Sequence, residues 1–126
     1  MASQTRPKNL DLLRFRLPAV GYASIAHRIS GVLMFLAIPL FLYLLELSLS
    51  HPEGFAQVAA LMSSVVFKLI VVALVWALVH HLCAGIRYLL LDIDVGIEKA
   101  AARQSAIGVI VIGGVAALIT LVGVFL

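Results

Sequence analysis

Charged side chains are scarce in this sequence. Of its 126 residues nine are Lys or Arg and six are Asp or Glu, so charged residues make up 12% of the chain, whereas hydrophobic residues make up 63%. Soluble globular domains carry about 25% charged residues. The composition therefore excludes a soluble globular protein and predicts an integral membrane protein.

Cysteine and targeting signals are also nearly absent. The single cysteine, Cys83, lies in an apolar run, has no partner for an internal disulfide and lacks the companions of a metal cluster, so we interpret it as a packing residue. The first 22 residues lack the continuous apolar stretch of a secretory signal, and Pro7 and Pro18 interrupt any long amphipathic presequence. We expect no cleavage and a location in the bacterial cytoplasmic (inner) membrane.

Three apolar runs are long enough to cross a bilayer, which takes about 20 helical residues. They predict an all-α membrane protein with three transmembrane helices, over about residues 24–49, 61–92 and 105–126, in one domain of residues 24–126. Residues 1–23 are expected to form a short cytoplasmic N-terminal segment, and residues 50–54 read as a turn. No separate soluble domain fits this length, so any catalytic head belongs to another chain.

The basic residues indicate how the helices are oriented. Five precede or begin the first helix, and three flank the second connection: Arg6, Lys8, Arg14, Arg16 and Arg28, then Arg87, Lys99 and Arg103. Basic residues favour the cytoplasmic side. The N-terminus and the second connection are therefore expected in the cytoplasm, and the C-terminus in the periplasm.

One histidine falls deep inside the second apolar run. His81 precedes Asp92 by about eleven residues, which places its ring roughly 16 Å from the membrane surface. His81, Gly85, Tyr88 and Asp92 share one helix face, where an imidazole lone pair could bind iron and Gly85 could accept a flat ring. A hydrogen bond from His81 to a neighbouring helix explains the same residue equally well. His80 points about 100° away, toward Ala84 and Arg87.

A haem with two histidine ligands needs a second imidazole. His27 is expected near the cytoplasmic end of the first helix and His51 outside the membrane. Depth alone therefore predicts that the second ligand comes from another polypeptide.

A polar strip marks the start of the first helix, where Ser24, His27, Arg28 and Gly31 recur at helical intervals. Arg28 can pair with a carboxylate such as a haem propionate, and Ser24 can donate a hydrogen bond to a carbonyl oxygen such as that of a quinone. Basic residues are common at the cytoplasmic ends of membrane helices, so Arg28 needs no ligand to explain its position. Without further evidence, the residues alone favour this simpler interpretation.

Taken together, the pattern SxxHRxSG in residues 24–31 and the pattern HxxxGIRxxxxD in residues 81–92 (with Tyr88 after GIR) resemble the cytochrome b large membrane-anchor subunit of bacterial succinate dehydrogenase. Residues 6–12 and 51–55 support the resemblance, which covers nearly the whole chain. Several relatives have histidine where this chain has Tyr88.

The resemblance implies a four-chain respiratory complex. A flavoprotein with FAD oxidises succinate, an iron-sulfur subunit relays electrons, and two anchors packed together in the lipid share haem b and the ubiquinone site. His81 corresponds to the axial haem-iron ligand, His27 and Arg28 to residues near the haem propionates, and Ser24, Ile25 and Arg28 to the quinone site. No catalytic residue on this chain and no nucleic-acid partner are expected.

Two alternatives stay open from the sequence. A fumarate reductase anchor would run similar chemistry in the opposite direction. A non-redox membrane scaffold or small transporter subunit would use the histidines only to bridge helices, and it predicts a protein without haem absorption.

Overall fold

A computed structural model describes residues 16–126. The basic residues Arg6, Lys8 and Arg14 and the family-like segment 6–12 lie outside the described residues. Within 16–126 all secondary-structure elements are helices and there is no strand, with α1 at Ala19–Ser50, α2 at Pro52–Met62, α3 at Val65–Asp92 and α4 at Lys99–Phe125. Three of these helices, α1, α3 and α4, are long and apolar enough to cross a membrane. The predicted all-α membrane fold is confirmed.

Helix α1 begins at Ala19, five residues before the predicted start. Pro18 precedes it in an extended conformation, and its carbonyl oxygen accepts hydrogen bonds from the backbone N–H groups of Gly21 at 2.8 Å and Tyr22 at 3.2 Å. Proline has no backbone N–H group, so in the interior of a helix it removes a hydrogen bond. At the start of a helix that N–H group would have no partner in the helix, and proline fits there. The earlier start leaves His27 about 12 Å along the helix.

The connection after α1 contains a helix, α2, that begins within the segment where the sequence predicts a turn. His51 caps it, since its Nδ1 atom accepts the Gly54 backbone N–H at 3.0 Å, and Pro52 occupies the first turn together with Glu53. Histidine is not among the usual capping residues, so the sequence gives no signal for the start of this helix. A side chain at Gly54 would collide with the Leu47 carbonyl oxygen, so α2 packs closely against the end of α1.

Helix α3 is closed at both ends by local hydrogen bonds. The Ser64 hydroxyl accepts the Phe67 backbone N–H at 3.2 Å. At the other end Asp94 has a φ of 62°, and the N–H groups of Asp94 and Val95 donate to the carbonyls of Leu91 at 3.1 Å and Leu90 at 2.9 Å. This is a Schellman ending, with aspartate in the position that glycine usually takes. It turns the chain, and α4 begins at Lys99, six residues before the prediction.

The helices meet through small residues and turn their large apolar side chains outward. Buried positions between α1, α3 and α4 include Ala23, Ser30, Ala77, Ala84, Ala106 and Gly113. By contrast Phe35 and Ile119 are 71% and 67% exposed. Small contact residues allow close backbone approach in membranes, and exposed apolar side chains suit contact with lipid or with another transmembrane subunit.

Candidate functional site

The site is built where α1 and α3 bring two histidines together. The imidazole rings of His27 and His81 stack with centroids 4.0 Å apart and planes 15° from parallel. His27 lies on α1 and His81 on α3, at similar distances from the helix ends that face the α3–α4 connection. The argument that depth separates His27 from His81 is therefore wrong, because it assumed a later start for α1.

Stacking is nevertheless a poor arrangement for two ligands of one iron. An imidazole binds a metal through a nitrogen lone pair that lies in the ring plane. Two imidazoles that hold one metal would each aim a ring nitrogen at it, whereas the rings of His27 and His81 lie face to face.

One nitrogen of His81 is engaged by α1. Its Nδ1 atom lies 3.1 Å from the His27 carbonyl oxygen and 3.1 Å from the Ser30 hydroxyl. Within residues 16–126 no hydrogen bond is found at its other nitrogen, Nε2. The ring is partly buried. One of its nitrogens, Nδ1, thus contacts α1, whereas the other, Nε2, is open, meaning that it has no hydrogen-bond partner in the described chain.

Two glycines shape the space around these rings. A Cβ at Gly31 would come 3.1 Å from Cε1 of His81, so the close approach of α1 to this ring depends on glycine. A Cβ at Gly85 would lie 4.0 Å from Nε2 of His27. The His27 imidazole thus covers the side-chain-free face of α3 that the sequence suggested for a flat ring.

Tyr88 completes this face of α3. Its ring meets His27 edge-on, with centroids 5.2 Å apart, and its buried hydroxyl has no hydrogen-bond partner in the described chain. The predicted alignment of His81, Gly85 and Tyr88 thus faces α1, while Asp92 is exposed at the helix end.

The remaining predicted residues on α1 divide between two sides. Ser24 and Arg28 are one helical turn apart, on the side of α1 adjacent to His27. Ser24 is partly buried and Arg28 is exposed. Ile25 is 43% exposed and lines a separate groove of about 260 Å³ that also contains Tyr22, Ala26, Ile29, Trp76, His80 and Ile110.

His80 and Arg87 occupy the opposite, buried face of α3. His80 is 1% exposed and stacks on Trp76 with centroids 5.5 Å apart, and its Nδ1 atom has no partner in the described chain. Arg87 donates from Nε to the Ser105 hydroxyl at 2.9 Å and from Nη2 to the Ala102 carbonyl at 3.1 Å. The prediction that His80 shares a face with Ala84 and Arg87 is confirmed.

Sequence reasoning missed two polar residues here. The pattern places Arg87 on the face of His80, but it does not predict the hydrogen bonds of Arg87 to Ser105 and Ala102 on α4. Ser30 belongs to the SxxHRxSG pattern, but nothing in the sequence distinguishes its hydroxyl from those of other serines. Among residues 16–126 no group of three or more His, Cys, Asp or Glu side chains could hold a bare metal ion.

Comparison with known proteins agrees with this architecture. The family described as Succinate dehydrogenase/Fumarate reductase transmembrane subunit matches residues 2–122. The chain is 38% identical over 122 residues to the succinate dehydrogenase cytochrome b556 subunit of Coxiella burnetii, with 96% of each chain covered. It is 32% identical over 120 residues to the subunit of that name in Paracoccus denitrificans, covering 95% of this chain and 92% of the relative. With the Rickettsia felis subunit it shares 33% over 96 residues, 76% of this chain and 74% of the relative.

The fold and the match define a multi-pass, all-helical membrane subunit of a respiratory dehydrogenase. The chain belongs to the succinate dehydrogenase/fumarate reductase transmembrane subunit family and, within it, to the cytochrome b membrane-anchor subunits of succinate dehydrogenase. Membership in such a complex implies partner subunits.

Proposed function

We propose that this chain binds haem b through His81 and contributes to the ubiquinone-reduction site of succinate dehydrogenase. Electrons from succinate would reach this region through FAD and iron-sulfur clusters on the flavoprotein and iron-sulfur subunits. The dehydrogenase centre then lies on those chains, and this one holds cofactor and quinone. The observation that carries the proposal is the state of the His81 ring, whose Nδ1 faces a carbonyl oxygen while Nε2 is open.

The donor chemistry at His81 fits haem. A carbonyl oxygen can only accept, so the 3.1 Å contact with the His27 carbonyl requires the proton on Nδ1 of His81 and leaves the lone pair on Nε2. Histidine ligands of metals commonly donate their other N–H in this way. A bound haem b supplies a one-electron carrier.

The surroundings of His81 provide the other contacts that the haem needs. Gly85 gives α3 a face without a side chain, although His27 covers it and must turn for a flat ring to lie there. His27 and Arg28 are the neighbouring N–H donors for propionate carboxylates. The second histidine ligand would come from the small membrane-anchor subunit, which the stacked position of His27 on His81 favours.

Ser24 and Arg28 are proposed to bind the quinone, with Ile25 on its apolar side. Ser24 would donate a hydrogen bond to a quinone oxygen, and Arg28 would stabilise the negative charge that develops there as electrons arrive. Both residues lie within the first three turns of α1, near the boundary at which protons from water are available. Ile25 faces a different groove, so its contact would be with the edge of the quinone or with its tail.

In the bacterial inner membrane, the proposed location, the basic residues favour an N-terminus in the cytoplasm and a C-terminus in the periplasm. In that orientation the polar start of α1 faces the electron-delivering subunits. The family description also covers fumarate reductase anchors. Comparing succinate oxidation with fumarate reduction, using ubiquinone and then menaquinone, distinguishes the two directions.

The proposal is tested on the purified complex of this chain with its partner subunits. A reduced-minus-oxidised optical spectrum should contain the bands of haem b, and a complex without haem absorption would leave only a scaffold role. Ser24→Ala should lower quinone reduction by about 10- to 100-fold while succinate oxidation by an artificial acceptor stays intact. The matched control is Ser48→Ala, the same change near the other end of α1. Unchanged quinone turnover in Ser24→Ala would remove Ser24 from the site.

A further inference from the structure

Ser30 is a buried hydroxyl that meets His81 at the same atom as the His27 carbonyl group. It is 0% exposed. Its Oγ donates to the His27 carbonyl oxygen at 2.8 Å and lies 3.1 Å from Nδ1 of His81. A hydroxyl has one proton, and here that proton goes to the carbonyl, so the oxygen meets His81 as an acceptor. The Nδ1 proton of His81 therefore faces two acceptors.

We propose that Ser30 is a positioning residue for His81, whose hydroxyl helps to hold the Nδ1 proton and thereby fixes the direction of the Nε2 lone pair. This inference rests on the proposed function, in which Nε2 binds the haem iron. Hydrogen bonds to the second nitrogen of a ligating histidine fix its tautomer and ring orientation and raise its basicity. A second acceptor also narrows the range of ring angles at which the proton stays bonded.

The acceptors belong to a rigid part of α1. His27 and Ser30 are three residues apart in one helix, so the carbonyl and the hydroxyl lie side by side and are joined by their own hydrogen bond. The next residue, Gly31, has no side chain at the point where a Cβ would come 3.1 Å from Cε1 of His81. Residues 27–31 thus form the surface of α1 that contacts the His81 ring and holds it in place.

Another serine of α1 provides a matched control for this role. Ser48 makes the same local hydrogen bond, from its hydroxyl to the carbonyl three residues earlier, also at 2.8 Å. It is partly exposed and far from His81 along the helix. Replacing either serine by alanine removes one local hydrogen bond from the helix, but only the change at Ser30 removes a contact with the histidine.

The experiment uses the purified complex with Ser30→Ala, Ser30→Cys and Ser48→Ala. The first readout is the rate of haem transfer to apomyoglobin, and the second is the low-temperature electron paramagnetic resonance spectrum of the ferric haem, which reports the orientation of the axial rings. Ser30→Ala should transfer haem about tenfold faster, in line with the usual effect of removing an outer hydrogen bond from a metal ligand, and should shift the spectrum. Ser30→Cys keeps a side chain of similar size with a weaker hydrogen bond and should give an intermediate rate. Ser48→Ala should match the parent.

The outcomes separate this inference from the proposed function. If His81→Leu abolishes the low-spin haem signal while both Ser30 variants keep the parental transfer rate and spectrum, the role of Ser30 is refuted and the haem ligand stands. If His81→Leu keeps an unaltered haem spectrum, the haem assignment itself fails. A lower melting temperature in Ser30→Ala without a change in either readout assigns Ser30 to packing alone and overturns the proposal. Should Ser30→Ala fail to assemble, Ser30→Cys decides by the same two readouts.

Discussion

The adjacent histidines of α3 occupy two different environments. His80 is 1% exposed and lies in the helix interface, stacked on Trp76 and in contact with the buried Gly113 of α4. His81 is only partly buried and faces α1, with one nitrogen held at 3.1 Å and the other open. The more buried imidazole is therefore the less suited to bind the haem iron, because it stacks on Trp76 and its Nδ1 atom is buried, although the residue also lines the groove that contains Ile25.

The difference shows that burial alone is a poor guide to function in a membrane helix. One step along the chain rotates a side chain by about 100°, enough to move it from a packed interface to the edge of the bundle. Depth and residue type are nearly the same for both histidines. What separates them is the arrangement of hydrogen bonds and the space in front of the free nitrogen.

Exchanging each histidine for leucine tests this contrast most strongly. His81→Leu should abolish the reduced haem b absorption, because it removes the Nε2 atom that is proposed to bind the haem iron. His80→Leu should retain the absorption, since His80 lies on the other face of α3, where its Nε2 atom is 3.5 Å from the Ala23 carbonyl oxygen and its Nδ1 atom has no partner in the described chain. Optical spectra of the two purified complexes decide the matter. Loss of haem in both variants to the same extent would erase the distinction between the two faces.

The packing of the buried side is tested at Gly113. A Cβ there would lie 3.2 Å from Cβ of His80 and 3.3 Å from the indole nitrogen of Trp76. Gly113→Ala should therefore force α3 and α4 apart and lower the free energy of unfolding by about 1–3 kcal/mol, measured by denaturation in detergent. The haem spectrum should change little.

The neighbouring glycine supplies the control. A Cβ at Gly114 would meet nothing within 4 Å, so Gly114→Ala should leave stability unchanged or raise it slightly through better helix propensity. Equal destabilisation by the two substitutions would contradict the assignment of Gly113, and not Gly114, to the helix interface.

A smaller effect is expected at the polar end of the buried side. Ser105→Ala removes the acceptor of the Arg87 Nε hydrogen bond at 2.9 Å, while the bond from Nη2 to the Ala102 carbonyl remains. Ser105 is exposed, so water can replace part of the lost interaction. The free energy of unfolding should fall by about 1 kcal/mol. Arg87→Lys, which loses the forked geometry, should be at least as destabilising, and a stability equal to the parent in both variants would show that Arg87 is held by packing alone.

The sequence predicted the number of membrane helices better than the residues at which the helices begin and end. Long, mostly apolar runs specified α1, α3 and α4, because about 20 predominantly apolar residues have few alternatives to a membrane helix. It did not reveal that Pro18 starts α1 early, that His51 caps α2 or that Asp94 takes the left-handed conformation, since each depends on local hydrogen bonds that residue type alone does not specify. These ends matter, because the start of α1 sets the depth of His27.

The candidate site was likewise predictable in its residues but not in their contacts. Helical periodicity correctly put His81, Gly85 and Tyr88 on one face of α3 and His80 on another. Which face α1 would meet, and that the carbonyl of His27 and the hydroxyl of Ser30 would both reach Nδ1, depended on the pairing of two helices far apart in sequence. No pattern within either segment encodes that pairing.

The smallest effect is expected at Gly31, which lies against the His81 ring. Gly31→Ala would place a Cβ 3.1 Å from Cε1 of the ring, so the imidazole must shift by a few tenths of an ångström while the helices stay in place. A shift of this size should move the ferric haem resonance lines and change the free energy of unfolding by less than about 1 kcal/mol. Gly21→Ala is the control on the same helix, because its Cβ would meet its nearest neighbour at an ordinary 3.6 Å. If both substitutions leave the resonance lines in place, the His81 ring is not held against α1 at Gly31. The difference between the packed His80 and the ligand-binding His81 would then need another cause.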